Sequence, residues 1–128
     1  MAKTVKQEIG DLGEDLAVRF LVKHGYLIVS RNFRRAVGEI DIICTKRNML
    51  YFVEVKTVSR ETVTTPTGDA HRPEDNIHEH KLKRMGRAIN IYLEDSGTDL
   101  DWEVMGILVI LDKSTKTAKI SIIEDLVL

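Results

Sequence analysis

Residues 38–56, GEIDIICTKRNMLYFVEVK, constrain the fold more than any other stretch, because two runs of β-forming residues flank a short polar break. Runs rich in β-branched and aromatic residues that surround a turn are typical of a β-hairpin. Arg47 and Asn48 occupy the break and fit a two-residue loop. The acidic residues inside this otherwise apolar hairpin therefore need an explanation.

The register of the hairpin decides which side chains meet. A two-residue loop places Asp41 opposite Glu54 and Glu39 opposite Lys56, whereas a three-residue loop would shift the pairing. Since side chains alternate along a strand, we expect these four residues to share one face of the sheet. The opposite, apolar face would then hold Ile40, Ile42, Cys44, Tyr51, Val53 and Val55.

Two carboxylates directly opposite each other in an antiparallel pair destabilise it. A shared proton, a neighbouring cation such as Lys56, water at a sheet edge or a bound metal ion would each relieve the repulsion between Asp41 and Glu54. A divalent ion suits best, because Mg²⁺ favours one or two carboxylates together with waters and phosphate oxygens. The simplest alternative is a solvated ladder of salt bridges, with Glu39 paired to Lys56 and Asp41 paired to an arginine.

The rest of the chain alternates between helical and strand patterns. Apolar spacing predicts helices over residues 7–24 and 76–94, the second capped by Asn76. Strands are predicted over 26–34, in the two arms of the hairpin as far as 58, over 102–111 and over 118–124. Residues 59–75, rich in threonine and containing two prolines, predict a long irregular loop. The order α-β-β-β-α-β-β indicates one α/β domain over residues 1–128.

Composition limits the classes of protein to which the chain can belong. A formal net charge of −1 argues against non-specific coating of nucleic acid, which depends on neutralising phosphates. No apolar run approaches the roughly 20 residues of a membrane span, and the N-terminus lacks a signal-peptide core. The single cysteine, Cys44, falls in a strand pattern and is expected in the core. We therefore expect a soluble cytoplasmic protein that does not contact membranes.

Any contact with nucleic acid must be local, and two clusters of basic residues are available for it. The clusters are Arg31, Arg34 and Arg35 in one segment and Lys81, Lys83, Arg84 and Arg87 in another. Either cluster would also be an ordinary solvated face. Near the carboxylates, the Lys56 ammonium is placed to orient a water molecule or stabilise developing charge. Glu14 in the first helix would supply a further carboxylate.

These motifs, in this order, resemble a known family. Asp41 followed by Glu54-Val55-Lys56 after a hairpin, with Glu14 in a preceding helix, is similar to the PD-(D/E)XK nuclease superfamily. Over about residues 10–110 the chain most resembles the YraN family, which is related to Holliday-junction resolvases. The matching motifs are Gly13-Glu14, Gly25-Tyr26, Arg31-Asn32, Gly38-Glu39-Ile40-Asp41, Phe52-Val53-Glu54-Val55-Lys56, and Lys81 with Arg84.

The resemblance implies a restriction-endonuclease-like fold, with an α-β-β-β-α-β core, a mixed central sheet flanked by helices and one extra C-terminal strand. It implies that Asp41 and Glu54 ligate Mg²⁺ or Mn²⁺ and that Lys56 positions the attacking water. Other implied roles are a backbone ligand from Val55, assistance at the metal from Glu14, a supporting or second-metal role for Glu39, and nucleic-acid contacts from Arg31, Arg34, Arg35, Lys81 and Arg84.

Two departures from the family pattern stand out. Ile40 replaces the proline that names the superfamily, at little cost because only the aspartate ligates. Residues 103–106 read Glu-Val-Met-Gly where the family has Arg-Phe-Asp-Val, so the late strand lacks the family's aspartate.

Three functional hypotheses follow from the sequence. The first is a metal-dependent nuclease that cuts DNA, including branched or flapped DNA, for which a two-fold dimer would pair the cuts. The second is a nucleic-acid-binding or protein-interaction module that keeps the nuclease fold without cutting. The third is an α/β domain whose acids form only surface salt bridges.

Overall fold

The computed structural model of the chain describes residues 2–61 and 79–123. Two helices and five strands follow one another in the predicted order α-β-β-β-α-β-β. The elements are α1 (Val5–Lys23), β1 (Leu27–Arg35), β2 (Gly38–Lys46), β3 (Met49–Arg60), α2 (Glu79–Ser96), β4 (Asp101–Asp112) and β5 (Thr117–Ile123).

The structure changes one boundary of the sequence prediction. Ser59 and Arg60 belong to β3, where they pair with Leu111 and Asp112 of β4, so the prediction that the long loop starts at residue 59 was wrong. Parallel pairing with a neighbouring strand keeps the chain extended even where the sequence pattern has become polar. Most of the predicted loop, and the predicted helix cap Asn76, lie outside the described residues.

The five strands form one sheet in the order β1-β2-β3-β4-β5. Strands β1, β2 and β3 form an antiparallel meander, β4 runs parallel to β3, and β5 returns antiparallel to β4. A parallel pair needs a crossover connection, and α2 lies in the one between β3 and β4. This confirms the α/β class with a mixed sheet, flanked by helices, and an extra C-terminal strand.

The register of the central hairpin is confirmed from the turn inward. Lys46 pairs with Met49, and the ladder continues in step to Ile42 and Val53. Arg47 and Asn48 both have positive φ, at 51° and 65°, as a two-residue hairpin turn of the favoured twist requires. The position of the turn therefore sets which residues of β2 and β3 meet.

Helices cover both faces of the sheet, so the prediction of one apolar face and one polar face was wrong. Ile42, Cys44 and Val53 pack in a buried cluster with α1, while Ile43 and Phe52 pack in a second cluster with α2. Ile40, predicted beside Ile42, belongs to the α2 cluster instead. Consecutive apolar residues of β2 can be buried on both faces of the sheet, because each face packs against a helix. Within the described residues, no helix is long and apolar enough to cross a membrane.

Close helix–sheet contacts set the positions of both helices. Helix α1 begins with a capping box between Thr4 and Gln7. A Cβ on Gly13 of α1 would overlap the side chain of Thr57 in β3, and one on Gly38 would overlap the backbone carbonyl of Arg84 in α2. These glycines allow backbone and side chains to approach where a larger residue would not fit.

Two alanine substitutions on α1 test this packing. A helical glycine costs about 1 kcal/mol relative to alanine, and a Cβ on Gly10 meets nothing within 4 Å, so Gly10→Ala should stabilise the protein. Gly13→Ala has the same helix-propensity gain but must push Thr57 away, so we expect a net loss of about 2 kcal/mol. Urea unfolding of both variants measures the difference, and equal stabilisation by both would contradict the close contact.

Candidate active site

Asp41 and Glu54 meet where the β2–β3 ladder ends. The last pair in that ladder is Ile42 with Val53, and Asp41 and Glu54 are the next residues along each strand. The backbone N–H of Val55 donates a hydrogen bond of 2.8 Å to Oδ2 of Asp41. The Asp41 carboxylate thus accepts a hydrogen bond from a strand N–H that a backbone carbonyl would accept in a continuing ladder. The structure brings the two predicted carboxyl groups within hydrogen-bonding reach of each other.

Glu54 is the buried member of the pair, with only 1% of the residue exposed. Its Oε2 atom has no hydrogen-bond partner, which is rare for a buried polar atom. Burial, and then the charge of Asp41, raise the pKa of Glu54 to about 8. Burial also raises the pKa of Asp41, against the opposing effect of the Val55 N–H. Two neighbouring carboxyls in this environment favour a state in which they share one proton.

Lys81 supplies a positive charge to the pair from the first turn of α2. Its ammonium forms an ion pair with Oε1 of Glu54 and also lies in the field of Asp41. Burial lowers the pKa of Lys81, but the charges of Glu54 and Asp41 outweigh that effect and leave it raised. Lys81, predicted to contact substrate phosphate, therefore acts as the counter-ion of the carboxylates in this structure.

Glu14 approaches the same site from α1. Burial, followed by the charge of Asp41, raises the pKa of Glu14. The guanidinium of Arg31 opposes this shift, because it lies 3.3 Å from Oε1 of Glu14 and 2.7 Å from Oδ1 of Asp15. Arg31 was predicted to contact nucleic acid, but here it neutralises the acids of α1 and holds Glu14 towards the sheet.

An open groove of about 1020 Å³ runs past these residues. Asp41, Val55 and Lys56 line it from the sheet, Glu14 lines it from α1 and Lys81 from α2. Within the described residues, no carboxylate forms an ion pair with the Lys56 ammonium. The groove therefore presents both carboxylate and ammonium groups to any ligand that enters it.

Of the remaining predicted site residues, Arg34 lines this groove, and the residues that line it do not include Glu39, Arg35 or Arg84. Glu39 was expected to face Lys56, but it is in register with Arg34 of β1 and pairs with it at 3.5 Å. Beyond Ile42 the ladder between β2 and β3 has ended, so β1 provides the neighbour of Glu39. The guanidinium of Arg35 lies 4.1 Å from the centre of the Phe33 ring. Arg84 is exposed on α2.

Strand β4 adds no carboxylate to the site. Gly106 is the parallel neighbour of Glu54, and Met105 is buried in the α1 cluster. Met105 stands where the family resemblance implies an aspartate. Among residues 2–61 and 79–123, no three acidic, histidine or cysteine side chains are grouped as a ready metal-binding set. The carboxylate pair therefore has Lys81 as its counter-ion, and Lys56 and Glu14 line the adjacent groove.

Sequence reasoning missed the ion pair between Lys81 and Glu54 and the pairing of Arg31 with Glu14. A signal for the first was present, because Lys81 precedes Met85 by four residues and so lies on the apolar face of α2. A lysine on the buried face of a helix needs an acidic partner inside the protein. Nothing in the sequence identified which acid that was.

Comparison with known proteins places the chain in a family. The model of the uncharacterised protein family UPF0102 matches residues 13–123. A UPF0102 protein of Flavobacterium psychrophilum is 37% identical over 118 residues, which cover 92% of each chain. One from Desulfosudis oleivorans is 42% identical over 92 residues, covering 72% of this chain and 69% of the relative.

A third relative, from Dictyoglomus thermophilum, is 35% identical over 111 residues, covering 77% of this chain and 94% of the relative. The matched region contains every residue assigned above to the carboxylate pair and its neighbours. These matches confirm the resemblance that the motifs indicated: the chain belongs to the UPF0102 family, also called the YraN family.

Proposed function

We propose that this protein is a nuclease that depends on Mg²⁺ or Mn²⁺ and hydrolyses phosphodiester bonds in DNA. The observation that carries the proposal is the buried, unpartnered Oε2 of Glu54 beside a second carboxylate. Such a pair is costly to bury without a cation. Asp41 of this pair lines an open groove, which gives a polymeric substrate access to that carboxylate.

The residues present fit a hard divalent ion. Asp41 and Glu54 offer oxygen ligands, and Mg²⁺ binds in proteins through one or two carboxylates while keeping several waters. The backbone carbonyl of Val55 is a further candidate ligand. A set of only two carboxylates suits an ion that completes its shell with water and phosphate oxygens, as in phosphoryl-transfer enzymes.

The chemistry that a bound ion supplies is positive charge at the phosphate oxygens during hydrolysis. The protein's own groups supply position and electrostatics. The Lys56 ammonium lines the groove two residues from Glu54, where it can orient a water and stabilise negative charge that develops at phosphorus. Glu14, held by Arg31, can accept a hydrogen bond from a water in the groove.

In this proposal the Lys81 ammonium can contact either Glu54 or a substrate phosphate. It neutralises Glu54 in the structure, and its half-exposed side chain also lines the groove. When another cation satisfies the carboxylates, the Lys81 ammonium becomes free to contact a substrate phosphate. This agrees with the contact that the family resemblance implies for Lys81.

A specific observation supports a second candidate, a nucleic-acid-binding or protein-interaction module without catalysis. Lys81 already compensates the charge of Glu54, and β4 contributes Gly106 rather than a carboxylate. A centre that has lost a ligand and acquired a lysine as counter-ion would retain the fold and bind without cutting. The two candidates differ in whether Glu54 binds a metal ion.

Cleavage assays test the nuclease proposal. With Mn²⁺ and a panel of linear, flapped and four-way DNA, Asp41→Asn, Glu54→Gln and Lys56→Ala should each lower the cleavage rate by about 100-fold or more, because each removes a ligand or a charge at the reacting phosphate. Glu103→Gln and Lys119→Ala are matched controls on β4 and β5 and should cleave normally. Wild-type rates in the three site variants would reject the assignment.

Calorimetry with Mg²⁺ or Mn²⁺ separates the two candidates without any substrate. The nuclease requires saturable metal binding that Glu54→Gln abolishes and Glu103→Gln leaves intact. The module requires nucleic-acid binding that is the same with and without metal and in both variants.

The raised pKa of Glu54 makes a prediction for the metal-free protein. The folded protein holds a proton up to about pH 8, whereas the unfolded chain releases it near the ordinary pKa of 4.5. The folded state thus binds more protons between these values, so the free energy of unfolding should fall as pH rises from 5 to 8. Urea unfolding in EDTA measures this slope.

Glu54→Gln should flatten the slope, because glutamine carries no titrating proton, and Glu103→Gln should not. Saturating Mg²⁺ should restore the stability of the wild type most strongly at high pH, since the ion binds the ionised carboxylates. A wild-type slope that equals the slope of Glu54→Gln in EDTA would contradict the raised pKa of Glu54.

A further inference from the structure

A second cavity, of about 380 Å³, lies between α2 and the start of β4. Its lining residues are Lys83, Gly86, Arg87, Asn90 and Trp102. On α2, positions 83, 87 and 90 are four and three residues apart and position 86 directly precedes 87, so the four residues share one side of the helix. The cavity thus combines an aromatic ring with cations and an amide, and none of these groups belongs to the carboxylate site.

Trp102 forms a fixed aromatic surface in this cavity. Its indole makes a T-shaped contact with Phe52 at 5.5 Å between ring centroids, and Phe52 in turn contacts Tyr92 at 5.6 Å. Trp102 is 40% exposed, whereas the central residues of the same strand are buried. A large aromatic side chain that is anchored on one side and exposed on the other is suited to stacking.

The α2 side of the cavity supplies donors and positive charge. Within the described part of the chain, no carboxylate forms an ion pair with Arg87, and its side chain is exposed. Gly86 has no side chain to fill the cavity, and its φ is not positive, so the backbone does not require glycine there.

We propose that this cavity binds one unpaired nucleotide of a nucleic-acid strand. The base stacks on Trp102, the flanking phosphate pairs with Arg87, and Asn90 hydrogen-bonds the base or sugar. Stacking on an aromatic ring beside cations is how single strands are bound without sequence preference. Paired bases in a duplex cannot offer a face to Trp102, so the site selects unpaired strands.

The site deepens the proposed function, because it rests on nucleic acid being the ligand but not on hydrolysis. Trp102 is in register with Leu50 of β3, and Gly106 is in register with Glu54. Trp102 and the carboxylate pair are therefore separated by four residues of strand, about 13 Å. A short extended segment of one strand spans that distance. The substrate class is thus DNA with an unpaired stretch beside the cut, such as a flap.

Fluorescence tests the site directly, because Trp102 is the only tryptophan in the chain. The full-length wild-type protein is titrated in EDTA, which prevents cleavage, with a short oligothymidylate, an RNA of the same length and a blunt DNA duplex. Stacking should quench the emission of Trp102 with the single strands and leave it unchanged with the duplex. The DNA and RNA arms report which sugar the site prefers.

Substitutions test whether the quenching of Trp102 emission reports strand binding at this cavity. Trp102→Leu should weaken single-strand binding about tenfold, and Trp102→Phe should restore most of it, because phenylalanine still stacks. Arg87→Gln should weaken binding and lower the slope of log affinity against log salt by about one. Arg19→Gln removes the same charge from an exposed position on α1 and should change neither.

Three results would each overturn the site: no binding of single strands, binding without quenching, or equal quenching by the duplex. A Trp102→Leu variant that folds and binds as tightly as the wild type would do the same. The nuclease proposal fails separately, when quenching is observed but no DNA in the panel is cut with Mn²⁺. The two proposals can therefore be rejected independently.

Discussion

The burial of the Glu54 carboxyl group is the constraint on which the rest of the structure depends. Moving a charged group out of water costs several kcal/mol unless it is paired and hydrogen-bonded, and here the compensation is incomplete. Lys81 satisfies Oε1, Oε2 has no partner, and Asp41 adds a second negative charge. An apolar residue at position 54 would pack between the helix and the sheet without this cost. A side chain that destabilises the fold, where an apolar side chain would not, is expected at functional sites.

Both helices bring a charged side chain to this pair. Helix α2 brings Lys81 onto Glu54, and α1 brings Glu14 close enough to Asp41 for the charge of Asp41 to raise the pKa of Glu14. Gly13 and Gly38 allow these approaches, because each lies where a Cβ would overlap the neighbouring element. The helix–sheet contacts that set the fold therefore also bring charged groups to the carboxylates. The Lys81 ammonium offsets the repulsion between Asp41 and Glu54.

Sequence reasoning predicted the parts of this arrangement that depend on local geometry. The register of β2 with β3 follows from a turn at Arg47 and Asn48, and it places Asp41 and Glu54 at the same level. Alternation alone could not predict the burial of both sheet faces, because it cannot distinguish a solvated face from one that a distant helix covers. The flanking helices were expected only from the family resemblance. The ion pair of Lys81 with Glu54 links residues 27 positions apart across a helix–sheet interface that only the fold defines.

The charges of the chain argue for recognition by shape and stacking. A net charge of −1 offers no general attraction to phosphates. Of the cations predicted to contact nucleic acid, Arg31 and Lys81 are each occupied by a carboxylate of the protein itself, and Arg34 is weakly paired with Glu39. Under the proposed function, nucleic-acid binding would rely on a few groups such as Arg87 and on aromatic surface, which favours unpaired bases over the uniform backbone of a duplex. A nuclease with this balance of charges would select its substrate by the presence of unpaired nucleotides, because duplex DNA gains little by binding to it.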